Sequence, residues 1–404
     1  MTVRPDVRFL DRRTPPHVMT LVLLAGLSAL AMNIFLPSLP NMTAFFNTEY
    51  RLMQLSVSLY LAMNAVLQIF IGPISDRFGR RPVLLWTMAL FLVATLGTLL
   101  STSIEVFLLF RMAQAIVVST MVLSRAAVRD MVSQDEAASV LGYVTMGMAI
   151  VPMMSPMIGG VLDELWGWQA SFVLLFVIGA AILALTWADM GETATIRPIT
   201  LAAQFRQYPE LLVSPRFWGY CLAAAFASGS FFAYLGGAPY VGSEVFGMTP
   251  AMLGLYFGAP ALGYGFGNFL SGRYSVRVGV NNMVLWGTLI TFFGLALLII
   301  LFIMGFATPE LFFGLFISVG LGNGMVLPNA TAGMLSVRPH LAGTASGLGG
   351  AIMIAGGAIL SALAGALLGQ GSGPMPLLLL MFGSACASVL SILYVIRRAR
   401  QVGA

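Results

Sequence analysis

Apolar stretches of 18 residues or more with few or no charges, long enough to cross a bilayer as helix, recur from one end of this 404-residue chain to the other. They fall near 18–39, 52–72, 82–101, 106–126, 138–161, 169–188, 216–239, 250–271, 283–305, 310–334, 342–369 and 375–396. Nothing else in the sequence constrains the fold as strongly. In hydrocarbon each backbone N–H and C=O must be paired within the protein, so every stretch is expected to be a helix. The fold class that follows is an all-α membrane protein with twelve transmembrane helices. Only 9% of the residues are charged, against about 25% in soluble domains. Too little chain lies between the spans to build a soluble domain. The first span follows Arg4, Arg8, Arg12 and Arg13 and is too long for the core of a cleavable signal, so it is expected to be retained.

Charge position sets the expected orientation. The chain has a net charge of +5, which could point to nucleic acid, but the location of the charge excludes that reading. All twenty basic residues are Arg, and eighteen fall on one side if the N-terminus is inside; Arg51 and Arg111 are the exceptions. Basic residues gather on the cytoplasmic side of membrane proteins, so both termini are expected in the cytoplasm of a bacterial inner membrane. The six Trp lie near span ends, where their rings would sit at the membrane surface.

The longest polar interval, about 189–215, divides the spans six and six. The expected organisation is a first six-helix bundle over 1–188, a cytoplasmic linker over 189–215 and a second bundle over 216–404. The halves look related. SDRFGRR at 75–81 follows the second span and SGRYSVR at 271–277 follows the eighth, an offset of 196. Parallel six-helix repeats of this kind are a transporter architecture.

GPISDRFGRRP, Gly72 to Pro82, is the most specific motif. It resembles the loop signature between helices 2 and 3 of the major facilitator superfamily. Gly72 and Gly79 would permit the tight turn. Asp76 could accept from Arg77, or from Arg125 or Arg129 at the end of helix 4, with Arg80 and Arg81 completing a gating cluster. VPMMSPMIGG in helix 5 resembles the exporter motif of the same superfamily, with Ser155 at the first Gly position. There Pro152 and Pro156 would kink the helix, and Gly159 and Gly160 would let a neighbour approach closely. LPSLP, RMAQA, RAAVRD, WGWQASF, FFAYLGGAPYV and GTASGLGG narrow the resemblance to the Bcr/CflA-type drug-resistance branch over nearly the whole chain. That resemblance implies two pseudo-symmetric bundles and proton-coupled export of small, mostly lipophilic compounds. It implies no cofactor and no enzymatic activity. The glycine-rich GYGFGN at 263–268 and GLGNG at 320–324 lie inside apolar spans and read as helix packing, not nucleotide loops.

Polar residues inside the spans supply the candidate site. Members of this branch carry an acid where this chain has Asn33, so the expected intramembrane proton carrier is an amide. Arg111 is the clearest charge within a span, about 8 Å below the end of helix 4 at 1.5 Å per residue. Asn33 and Gln114 could each offer it an oxygen; backbone carbonyls are the other choice. Tyr60, Asn64 and Gln68 share one face of helix 2 by their four-residue spacing. Tyr234, Tyr256, Asn323 and Asn329 are the candidates in the second half, each able either to bind substrate or to bridge helices. With no carboxylate expected in the cavity, neutral lipophilic substrates are expected over permanent cations. The molecule is expected to be a monomer among membrane lipids. A symporter or facilitator importing a small metabolite on the same fold remains the alternative, because fold alone does not fix function.

Overall fold

The computed structural model describes residues 7–131, 151–194, 208–338, 341–369 and 371–402, and is helical with no strand among them. Twelve long helices stand among the described residues: α1 (Val18–Phe45, with a 3-10 turn at Leu36–Ser38), α2 (Tyr50–Phe78), α3 (Arg80–Leu99), α4 (Ile104–Met131), α5 (described over 151–166), α6 (Gln169–Asp189), α7 (Pro215–Tyr240, with a π turn at Val241–Val245, and preceded by a short helix at Tyr208–Leu212), α8 (Pro250–Phe257 and Ala259–Val278), α9 (Val280–Ile303), α10 (Pro309–Leu315 and Ile317–Val337), α11 (Ala342–Leu367) and α12 (Met375–Val402). Each matches an expected span. Among the described residues ten are long and apolar enough to cross a membrane. The others are α5, described over sixteen residues, and α8, whose glycines, Arg273 and Arg277 lower its hydropathy.

One end of the molecule holds Val18, the α2–α3 turn, Met131, the α8–α9 turn and Val402, with most of the arginines; it is called the basic end below, and the other the distal end. In the first half α3 packs on α4 and α6, and α1 packs on α4 and α6. In the second half α7 lies against α10, α11 and α12, and 83% of its apolar window is buried, the largest share of any span. Such burial requires small residues, and α7 supplies them in Ala223–Ala225 and Ser228–Ser230.

The α2–α3 and α8–α9 turns are built alike, but at a register different from the expected one. Gly79 has φ 94° and donates its N–H to the Ser75 carbonyl at 2.9 Å; Gly279 has φ 86° and donates to the Ser275 carbonyl at 2.9 Å. The offset is therefore 200, one helical turn beyond 196. The correct partner of SDRFG is SVRVG at 275–279, and the repeated Ser–x–Arg gave the misleading match. Gly72 is not at the turn: it lies within α2, and a Cβ there would meet nothing within 4 Å. Of Gly72 and Gly79, only Gly79 takes the backbone conformation that favours glycine.

Glycines also set the close crossings. A Cβ at Gly263 or Gly267 would overlap carbonyls of Ile317 and Leu321, and one at Gly320 or Gly324 would overlap those of Pro260 and Tyr264. The GYGFGN and GLGNG stretches are thus the contact between α8 and α10. One Trp departs from expectation. Trp168 is 4% exposed and sits among Phe45, Phe46, Phe107 and Phe172, with centroids 5.3 to 5.9 Å away, while Trp86 and Trp166 are about 70% exposed. An aromatic cluster at the distal end outcompetes the membrane surface for this ring.

Candidate functional site

Arg111 is 1% exposed and is the largest fully buried side chain. Its Nη1 donates to Gln114 Oε1 at 2.8 Å, its Nη2 to the Ala31 carbonyl at 2.9 Å and its Nε to the Ser56 carbonyl at 3.4 Å. The guanidinium also lies over the ring of Phe35 at 4.2 Å and that of Tyr60 at 4.1 Å. An arginine in a span costs about 2.5–3.5 kcal/mol on an insertion scale. Three hydrogen bonds and two ring faces, each face contributing about 0.5–2 kcal/mol, offset that cost with no counter-ion among the described residues. Three helices converge to make this possible: α1 gives Ala31 and Phe35, α2 gives Ser56 and Tyr60, and α4 gives Arg111 and Gln114. Gln114 is held in turn by α3, donating from Nε2 to Thr95 Oγ1 at 2.9 Å and Thr98 Oγ1 at 3.4 Å.

Asn33 does not join this set. Its Nδ2 donates to the Ala29 carbonyl of its own helix at 2.7 Å, and Arg111 takes backbone carbonyls in place of the Asn33 amide. A back-bond to residue i−4 loosens a helix, and α1 leaves α-geometry just after Asn33, before Pro37. The chain bends there and brings Phe35 over Arg111. Phe35 was not legible as a partner: nothing distinguishes it from the other 27 Phe in the sequence.

Tyr60 is 1% exposed, and its hydroxyl has no hydrogen-bond partner among the described residues. A buried orphan hydroxyl costs about 1–3 kcal/mol, so this oxygen marks a place where a ligand or water would gain a bond. Asn64 accepts from Gln68 Nε2 at 3.1 Å, and Gln68 lies against Gly350 of α11. Asn323 is 4% exposed with its Oδ1 also unpartnered. The other candidates of the second half are committed to packing. Tyr234 donates to the Phe257 carbonyl at 3.2 Å between the rings of Phe257 and Phe316. Tyr256 reaches Glu310 at 3.4 Å. Asn329 bridges α10 to α8, donating to Ser271 Oγ at 2.7 Å as well as to the Met325 carbonyl.

At the basic end the pairing of the loop motif differs from the expected one. Asp76 pairs with Arg80 at 2.6 Å, one turn along, and Arg80 also pairs with Asp130 of α4 at 3.1 Å. Arg80 further donates to Ser75 Oγ. The loop is thus tied to α4 through Arg80 and Asp130. Arg77 instead lies over the Phe78 ring, and Arg125 and Arg129 are exposed on α4. Glu192, beyond α6, accepts from the backbone N–H groups of Arg80 at 2.8 Å and Arg81 at 3.2 Å, capping α3. Arg81 donates to the Trp187 carbonyl at 3.1 Å. Asp189, fully buried, accepts from the Leu10 and His17 N–H groups and from Thr20 Oγ1 at 2.6 to 2.9 Å, and pins the N-terminal segment over α6.

The distal end joins the halves. Tyr50 donates to the Gly236 carbonyl at 2.8 Å, Gln54 donates to the Ser361 carbonyl at 2.6 Å and to its Oγ at 2.8 Å, and Glu164 accepts from the Ala251 N–H at 3.3 Å. Helix α5 supplies the rest of this seam. A Cβ at Gly159 would overlap the Ile34 carbonyl of α1, one at Gly160 the Pro250 carbonyl of α8, and one at Gly254 the Pro156 carbonyl. The whole motif lies among the described residues, with Pro152 in the first described turn of α5 and Ser155 buried, its hydroxyl unpartnered among the described residues. The backbones of α5 and α8 therefore touch directly through small residues.

A family model described as Major Facilitator Superfamily matches residues 21–353 and 238–404. Multidrug resistance protein D of Escherichia coli is 28% identical over 91% of this chain and 92% of its own length. A chloramphenicol resistance protein of Pseudomonas aeruginosa is 32% identical over 83% of this chain and 81% of its own. A bicyclomycin resistance protein homologue of Haemophilus influenzae is 27% identical over 93% and 94%. Among solved structures, a bacterial homologue of the human lysosomal transporter Spinster, inward-facing and occupied, superposes with a TM-score of 0.68 over 95% of this chain and 94% of its own, at 16% identity. It shares the fold. With the two related turns, the twelve helices and the loop motif, these matches make the chain a membrane transporter rather than an enzyme: it belongs to the Major Facilitator Superfamily, in the Bcr/CflA-type drug-resistance branch.

Proposed function

We propose that this protein exports small lipophilic compounds across a bacterial inner membrane by alternating access, driven by the proton gradient. In this reading both termini and the basic end face the cytoplasm, as the arginine distribution requires. Residues 1–188 and 216–404 act as the two moving bundles, and 189–215 links them in a monomer. Hydrogen bonds from Tyr50, Gln54 and Glu164 cross between the halves at the distal end, which supports reading this state as closed to the outside. The direction is inferred from the resistance proteins that the chain resembles and from the α5 glycine seam. A metabolite importer on this fold would not need to resemble them.

The observation that carries the substrate class is Arg111 buried against two rings with no carboxylate beside it among the described residues. A positive, counter-ion-free site raises the potential around the Tyr60 face and disfavours cations there. The expected substrates are neutral or weakly anionic, phenicol-like molecules. Asn33 does not titrate, so the proton is carried by another group. Drug-susceptibility profiling in a pump-deficient host, with and without a protonophore, tests the proposal. It requires resistance to neutral drugs that collapses with the gradient; resistance led by quaternary ammonium compounds would refute the substrate class.

A further inference from the structure

Helices α3 and α6 approach closely in mid-span, where a Cβ on Gly179 would lie 3.0 Å from Leu92 and 3.1 Å from Phe91. Toward the basic end lies a groove of about 590 Å³ that runs from Arg81 to Ala89 on α3 and from Ala180 to Trp187 on α6. The eight steps from Arg81 to Ala89 make it about 12 Å long. Its floor is small, with Ala89, Ala180 and Ala184, and its walls are apolar, so it fits a chain of methylenes rather than a polar ligand. Trp86 and Trp187 flank the mouth, 72% and 55% exposed. The rim is positive. Arg81 gives one donor to the Trp187 carbonyl, but its Nε is buried without a partner among the described residues. Arg12 lies over the Trp187 ring at 5.3 Å with its guanidinium exposed. The nearby carboxylate of Glu192 already accepts from the Arg80 and Arg81 backbone and from the N–H groups of Thr193 and Ala194.

We infer that this groove binds one anionic phospholipid, an acyl chain lying between α3 and α6 and the phosphate meeting Arg81 and Arg12. The chemistry asks for both parts together. Two arginines with open donors suit a phosphate oxygen, tryptophans suit the headgroup level, and the alanine floor suits the chain. A free phosphate would gain the rim and leave the groove empty. A zwitterionic lipid would gain the groove and have its phosphate charge offset by its own amine. The occupant would also buttress Arg81, whose neighbour Arg80 holds Asp76 and Asp130.

Native mass spectrometry of the purified full-length protein tests this, with phosphatidylglycerol and phosphatidylcholine of identical chains added in equal amounts. One basic residue near an anionic lipid surface contributes about fivefold, so the wild type should retain phosphatidylglycerol on the order of tenfold better at one site. Ala184→Trp, which fills the floor, should lower the number of tightly retained lipids by one. Arg12→Gln with Arg81→Gln should keep that lipid and lose the preference. Glycerol phosphate should not displace it. Equal retention of the two lipids by the wild type would overturn the inference. So would an unchanged count in Ala184→Trp, or displacement by glycerol phosphate. Circular dichroism and monodispersity of each variant separate lost binding from lost folding.

Discussion

At the scale of single residues, the site turns on how one buried charge is satisfied. Arg111 was legible in the sequence because a lone arginine in an apolar run must find partners, and Gln114 followed from its place one helical turn away. The ring faces were not legible, because contacts between helices depend on how the helices meet and not on spacing within one of them. The account gives two predictions here. Arg111→Met keeps length and apolar packing and removes a charge that costs about 2.5–3.5 kcal/mol to place in a span. Membrane level and thermal midpoint should therefore hold or rise while transport falls to background; a loss of folded protein would show that Arg111 is a structural post. Asn33→Asp would turn lone pairs toward the Ala29 carbonyl that Asn33 now bonds. The new carboxyl must then take up a proton or swing away toward Arg111, which would hold it ionised. Transport by this variant should depend more steeply on the pH gradient than wild-type transport, measured in proteoliposomes. An identical pH profile would make Asn33 a helix-bending residue only.

At the scale of elements, the two ends are held by different physics. The basic end uses ions. Arg80 joins Asp76 to Asp130, with side chains 11%, 33% and 26% exposed, and Glu192 caps α3. Asp76→Asn weakens one charge-assisted bond while leaving Asp130 in place, a cost of about 1–3 kcal/mol, and should slow transport without loss of protein from the membrane. Native-rate transport in proteoliposomes would reject that role. The second half has Val276 and Val280 where the first has Asp76 and Arg80, so only one of the two related turns carries the cluster. The motif could be read from the sequence, but its partners could not: Glu192 lies 112 residues from Arg80, too far for any pattern of spacing to reach. The distal end uses backbone contact. Gly160→Ala would push α5 away from Pro250, and should shift the molecule toward a distal-open state, seen as greater labelling of a cysteine placed at Asn323, which takes no part in the closing bonds. Gly72→Ala meets open space and should raise helix stability by up to about 1 kcal/mol. Labelling at wild-type level in Gly160→Ala would show that the α5–α8 seam does not limit opening.

At the scale of the whole molecule, the fold was almost fully legible because twelve apolar runs leave a chain few choices, and the helices begin and end close to where the sequence put them. The register of the repeat was one turn out, since short Ser–Arg patterns recur along a helix and only the positive φ of Gly79 and Gly279 fixes the alignment. The state of the transporter was not legible at all; it depends on pairs such as Gln54 and Ser361, 307 residues apart. In the proposed cycle those pairs close the distal end, and the central claim is that the molecule opens alternately to move neutral drugs outward at the expense of protons. Accumulation of radiolabelled chloramphenicol in inverted membrane vesicles tests it most directly. The account predicts uptake into inverted vesicles that are acidified inside, abolished by a protonophore and by Arg111→Met. Uptake confined to right-side-out vesicles, or uptake indifferent to the gradient, would contradict it.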